Sequence, residues 1–128
     1  PEFMLVVSYN PGYQNMLKGM KPSTRQRFVS LRFDYPGAEL ECDILVEETG
    51  IERPMAAQLI QLAGNLRALK DHDLEESAST RLLIYSARLI RDGFNAVEAC
   101  RAALIEPLSD DEATVEALME VVQASLGE

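Results

Sequence analysis

The 128 residues and 14.2 kDa of this chain provide for one compact domain or pieces of two, with roughly two-thirds of the unfolded surface buried and no need of staples. Hydrophobic residues at 47% and charged residues at 26% exclude bulk disorder, while aromatics at 6% and the absence of Trp favour helix over sheet. The net charge of −9 is uneven: residues 1–32 carry Lys18, Lys21, Arg25, Arg27 and Arg32 against Glu2 alone, and the acids crowd the remainder. A phosphate backbone wants a continuous basic face, so nucleic-acid binding by the whole chain is not expected; a local anion such as a nucleotide phosphate suits the basic segment.

No apolar run approaches the ~18 residues of a membrane span. Phe3-Met4-Leu5-Val6-Val7 has no basic residues before it and reads as a strand, not a signal peptide. Cys42 and Cys100 are far apart, without a CxxC, and His72 is the single histidine. Neither a zinc site nor a disulfide framework is expected, but two buried thiols in a reduced, cytoplasmic setting.

In chain order, Phe3 to Tyr9 has the β-branched, apolar character of a strand buried on both faces, ending in the turn Asn10-Pro11-Gly12. A lone strand has no partner for its backbone groups, so the chain reads as a fragment whose strand seeks company, by pairing or swapping with a second copy. Pro22 to Phe28 suits one or two helical turns, and Val29-Ser30-Leu31-Arg32-Phe33 alternates as a second strand. Asp34-Tyr35-Pro36-Gly37 marks the boundary between a segment 1–34 and a segment 35–128.

The second segment reads as helix throughout. Ala38 to Thr49 places Leu40, Ile44 and Leu45 on one stripe, with Gly50 as its stop. Pro54 opens a helix with a seam of Met55, Leu59, Leu62, Leu66 and Leu69. An acidic connector, Asp71 to Glu76, leads to Ser79 as the cap of a helix through Leu82, Leu83, Ala87 and Ile90 to Gly93. Asn95 with Glu98 and Ser109 with Glu112 are capping boxes for two more, the first ending near Pro107 and the second carrying Val115, Leu118, Met119 and Val122 as its apolar residues. The expected fold is mostly α: a bundle of four or five helices behind a two-strand remnant of an α/β core.

The glycines form neither G-x-x-x-x-G-K-[ST] nor G-x-G-x-x-G, so nothing here cradles phosphates unaided. His72 lies between two aspartates in a polar connector, the place of a solvated histidine. Three polar features remain. Asn10 is delivered by the end of a strand, where ligands of open α/β sheets collect; a turn-forming Asn before Pro-Gly is the plainer account. Arg25 and Arg27 precede Phe28 and offer planar, permanently charged forks suited to phosphate, one packing while the other projects; two solvated arginines fit the composition as well. Arg81 lies in the first turn of its helix, where the macrodipole disfavours a cation and a nearby anion is favoured, either Glu75 and Glu76 or a bound phosphate. The carboxylates of Glu39/Glu41/Asp43 and Asp110/Asp111/Glu112 read as helix-face and helix-start charges serving dipole and solubility.

Taken together, longer strings are more specific. Ser8-Tyr9-Asn10-Pro11-Gly12-Tyr13-Gln14 and Lys21-Pro22-Ser23-Thr24-Arg25-Gln26-Arg27-Phe28 are the distinctive ones. Asp34-Tyr35-Pro36, Ala38-Glu39-Leu40-Glu41, Leu74-Glu75-Glu76, Ala78-Ser79-Thr80-Arg81-Leu82-Leu83, Ala99-Cys100-Arg101 and Pro107-Leu108 with Asp110-Asp111 follow. With these the chain resembles the C-terminal part of the CbbQ/NirQ/NorQ family, a branch of the MoxR-type AAA+ ATPases. The resemblance implies a sensor-1 role for Asn10, an arginine finger at Arg27 assisted by Arg25, and a sensor-2 role for Arg81 on a helical lid. Each would meet charge on a transferring phosphoryl group with preorganised donors. It implies ATP and Mg2+ in the full-length protein, a ring (typically a hexamer), a partner with a von Willebrand factor A-type domain, and a client enzyme, rubisco or nitric oxide reductase. The family's Walker A and Walker B motifs precede Phe3, so the chain alone is expected neither to grip nor to hydrolyse ATP. A reading of another class stays beside this one, a nucleotide-independent module docking a partner through its acidic surface.

Overall fold

In the computed structural model the described residues are 2–8, 21–69 and 76–127. Backbone packing divides the chain into two compact units, Pro1–Asp34 and Tyr35–Glu128. In the first, Pro22 opens a single helical turn, α1 (Pro22–Arg25), its fixed φ suiting the helix start and its missing N–H costing nothing there. Neither expected strand forms among the described residues: 3–8 and 29–33 are irregular, and Phe3, Met4, Leu5, Val6, Val29, Leu31 and Phe33 are all exposed. The alternation is present, but a strand exists only through the backbone hydrogen bonds of a neighbour, and none of the described residues supplies them.

The second unit is a bundle of α2 (Ala38–Thr49), α3 (Arg53–Ala68), α4 (Thr80–Arg91), α5 (Ala96–Cys100) and α6 (Glu112–Leu126). Between α5 and α6 the chain widens into a π-helical turn, Arg101–Ile105, and then tightens into a 3-10 turn, Glu106–Leu108. Pro107, which lacks the N–H an α-helix would need, sits in that tight turn and ends the helical run where expected. Gly50 stops α2 in the left-handed region at φ 74°, its N–H donating to Val46 O at 2.8 Å; any side chain there would be strained.

Helix α4 packs on α2, α3 and α5, while α6 closes the bundle against α3 and α5. The core joins Leu45 of α2, Leu59, Leu62 and Leu66 of α3, Leu83 of α4, Leu104, Ile105 and Leu108 of the turns, and Val122 of α6. The α3 seam is broader than its leucines, since Ala56, Ile60 and Ala63 are buried beside them. On α2 the buried stripe is shifted from the expected one: Leu40 is exposed, and Glu41, Cys42, Leu45 and Thr49 face inward. Thr49 is accommodated because its hydroxyl donates to Leu45 O (2.6 Å) and accepts from Ile51 N (3.1 Å).

Capping follows the sequence at two helices and departs at a third. Ser79 Oγ accepts from Leu82 N, and Asn95 Oδ1 from Val97 N and Glu98 N. At α6 the cap is Asp111, not Ser109; Asp111 Oδ2 accepts from Thr114 N and from the Thr114 hydroxyl, while Ser109 Oγ accepts from Asp111 N. A carboxylate accepting two bonds at a helix start outcompetes a hydroxyl placed two residues earlier.

Candidate functional site

Helix α4 presents Arg81 in its first turn, and the side chain is exposed. Ser79 sets the helix start by capping, which puts Arg81 among the N-terminal amides where a cation is least at ease. Of the anions expected beside it, Glu75 lies outside the described residues; Glu76 is described, and no described carboxylate pairs with Arg81 within 4.0 Å. Among the described residues its guanidinium has no such partner, and an exposed fork of donors suits an external anion.

Beneath this helix start lies a cluster that the sequence reading missed. The Glu41 side chain is wholly buried, and Arg67 grips it as a two-pronged fork, Nη1 to Oε1 at 2.8 Å and Nη2 to Oε2 at 2.7 Å. Arg67 Nε donates to Ala78 O at 2.9 Å, and the Thr80 hydroxyl donates to Glu41 Oε2 at 2.6 Å. The Tyr35 ring lies over the guanidinium, 3.7 Å from centroid to Cζ. Burial pushes the Glu41 carboxyl up, but the hydrogen bonds from Arg67 and Thr80, with the guanidinium charge, outweigh it and hold the pKa below the ordinary value. Glu41 is therefore ionised at neutral pH, and it is no solubilising charge on a helix face. The available signal was its register: Glu41, Leu45 and Thr49 recur every four residues on the stripe that faces the core.

The other expected site residues fall as follows. Asn10 and His72 lie outside the described residues. Arg25 ends α1, and Arg27 follows it in a turn where its N–H donates to Thr24 O at 3.1 Å. Both arginines are exposed, so neither packs while the other projects; Phe28 alone of that string is partly covered. Arg25 and Arg27 belong to the first unit, and Arg81 with its supporting cluster to the second.

Both cysteines are buried free thiols. Burial in the core pushes Cys100 up to about 12, against a small opposing effect of its contact with Ser86, so it is no nucleophile. The described residues contain no grouping of His, Cys, Asp and Glu able to hold a metal ion, and no helix long and apolar enough to cross a membrane. What the arrangement offers chemically is a set of exposed guanidinium forks, one of them on a braced helix start.

The family model described as "CbbQ/NirQ/NorQ C-terminal" matches residues 41–125. The chain is 68% identical over 122 residues to the denitrification regulatory protein NirQ of Pseudomonas aeruginosa, covering 95% of this chain and 47% of that protein. Protein NorQ of Paracoccus denitrificans is 51% identical over 127 residues, covering 99% of this chain and 47% of NorQ. Protein CbbQ of Hydrogenophilus thermoluteolus is 47% identical over 111 residues, covering 87% and 42% respectively. The chain thus spans a little under half the length of these relatives. On the matched domain and these identities, the chain belongs to the CbbQ/NirQ/NorQ family and carries its C-terminal part.

Proposed function

We propose that this chain is the sensor and lid portion of an AAA+ ATPase that remodels a client enzyme. The observation that carries the reading is Arg81: an exposed cation in the first turn of α4, where the dipole opposes it, with no described carboxylate to satisfy it. Such a position is favourable once a strong external anion arrives, and the terminal phosphate of ATP is one.

In this reading Arg81 reads the phosphates from the lid, Arg27 reaches a neighbouring subunit's nucleotide with Arg25 assisting, and Asn10 orients the attacking water. Bound ATP with Mg2+ supplies the phosphoryl group; the chain's contribution is fixed positive charge where negative charge spreads during transfer. In the same reading the ligands of Mg2+ come from the part of the relatives' length that this chain does not span. A trans arginine requires a ring of subunits, and the exposed apolar residues 3–6, 29, 31 and 33 suit segments that pair with further core strands. A partner with a von Willebrand factor A-type domain belongs to the same reading. The higher identity to a denitrification regulatory protein than to CbbQ favours a client in denitrification, nitric oxide reductase, over rubisco.

The test joins the chain to its upstream half and compares ATP turnover of the parent with Arg27→Ala and Arg81→Ala. Loss of a finger arginine lowers turnover by about 10³-fold or more. Unchanged turnover in both variants would instead support an acidic docking module that works without nucleotide.

A further inference from the structure

We propose that Glu41, Arg67 and Thr80 form a positioning clamp for Arg81, so that the lid's nucleotide contact is set by a buried ion pair it never exposes. The proposal rests on the nucleotide reading of Arg81 given above.

A buried ion pair is a poor device for stability alone, because apolar residues of similar volume usually do as well. What it supplies is direction. Each Arg67 nitrogen has one defined acceptor: Nη1 and Nη2 take the two oxygens of Glu41 on α2, and Nε takes Ala78 O just ahead of α4. Glu41 Oε2 in turn accepts from the Thr80 hydroxyl, at the first residue of α4. The two groups held at the α4 side therefore flank Ser79, and the second of them, Thr80, immediately precedes Arg81. Stacking on Tyr35 leaves the guanidinium little freedom to rotate out of this fork.

Helix α2, helix α3 and the start of α4 thus meet at one carboxylate, and the residue that leaves the junction is Arg81. The Ser79 cap fixes where the helix begins, while the clamp fixes where that beginning sits relative to the lid core. A misplacement of about 1 Å at such a group is enough to cost roughly 10²-fold in a phosphoryl-transfer site. Arg67 and Glu41 touch no nucleotide in this proposal and act only through Arg81.

The experiment uses the chain joined to its upstream half and measures Kd for ATP and for ADP, together with turnover. Arg81→Ala sets the full effect on the preference for ATP over ADP. Thr80→Val, which replaces the hydroxyl by a methyl group of similar size, is expected to lower that preference by about tenfold. Thr80→Ser restores it, and the double variant Thr80→Val/Arg81→Ala is no worse than Arg81→Ala alone, since both act through one group. Glu41→Gln gives a second route to the same change, with thermal melting separating loss of fold from loss of preference. The proposal is overturned if Thr80→Val and Glu41→Gln, both folded, keep the parent's ATP preference, or if Thr80→Val adds its full effect to that of Arg81→Ala. If Arg81→Ala itself changes nothing, the nucleotide reading falls and the clamp's purpose falls with it; a potent Arg81→Ala beside silent clamp variants refutes the clamp alone.

Discussion

The two units of this chain spend their apolar residues in opposite ways. Residues 35–127 bury Leu45, Leu59, Leu62, Leu66, Leu83, Leu104 and Ile105 completely, and close the core around an ion pair. Residues 2–8 and 21–34 leave Phe3, Val29 and Phe33 more than 80% exposed, and organise a single helical turn. A helix satisfies its backbone within itself and needs only a neighbour for its apolar stripe, which the bundle provides from nearby sequence. A strand must borrow its hydrogen bonds from another segment, and a pattern without that segment stays a pattern.

The sharpest way to break the comparison is to unpair the buried charge in the helical unit. Arg67→Ala leaves the buried Glu41 carboxyl with only the Thr80 hydroxyl, and is expected to cost about 3–5 kcal/mol in denaturant unfolding. A loss below 1 kcal/mol would mean that water reaches the site and that the helical unit is less tightly closed than its burial shows.

Acid probes the same residue more gently. The folded pKa of Glu41 lies below its value in the unfolded chain, so the unfolded state binds more protons as pH falls through the ordinary carboxylate range. The stabilisation is fully present above about pH 4.5, near the ordinary glutamate pKa, and is lost as pH drops through the lower folded value. Melting temperature should fall with acid across that window, and the fall should be shallower in Glu41→Gln. Identical profiles for the two would remove Glu41 from the acid response.

The smallest effect belongs to the first unit. Val29→Ser should shift unfolding of the chain by no more than about 0.5 kcal/mol, because its side chain is exposed. A loss of 2 kcal/mol would show that the segment makes contacts of the kind found in the bundle.

Much of the helical unit could be read directly. The spacing of Leu59, Leu62 and Leu66, the caps Ser79 and Asn95, the stop at Gly50 and the break at Pro107 all signal within one or two turns of themselves, so local sequence is enough. Arg81 stood out for the same reason, as a cation in a first turn. The clamp did not, because its members come from residues 35, 41, 67, 78 and 80, and each is ordinary in its own surroundings. Glu41 sits in an acidic run, and only the rotation of α2 decides that Leu40 is exposed while the glutamate is enclosed.

Sequence alone therefore determined the helices, most of their ends and the family, since these depend on periodicity and on short strings of residues. Tertiary structure decided which face of α2 turned inward, which acid capped α6, and that a carboxylate and a guanidinium 26 positions apart would share the interior. Burial and pairing are properties of a neighbourhood that chain order does not contain. A buried charge is tolerated only where several distant donors converge on it, and that convergence exists only in the folded molecule.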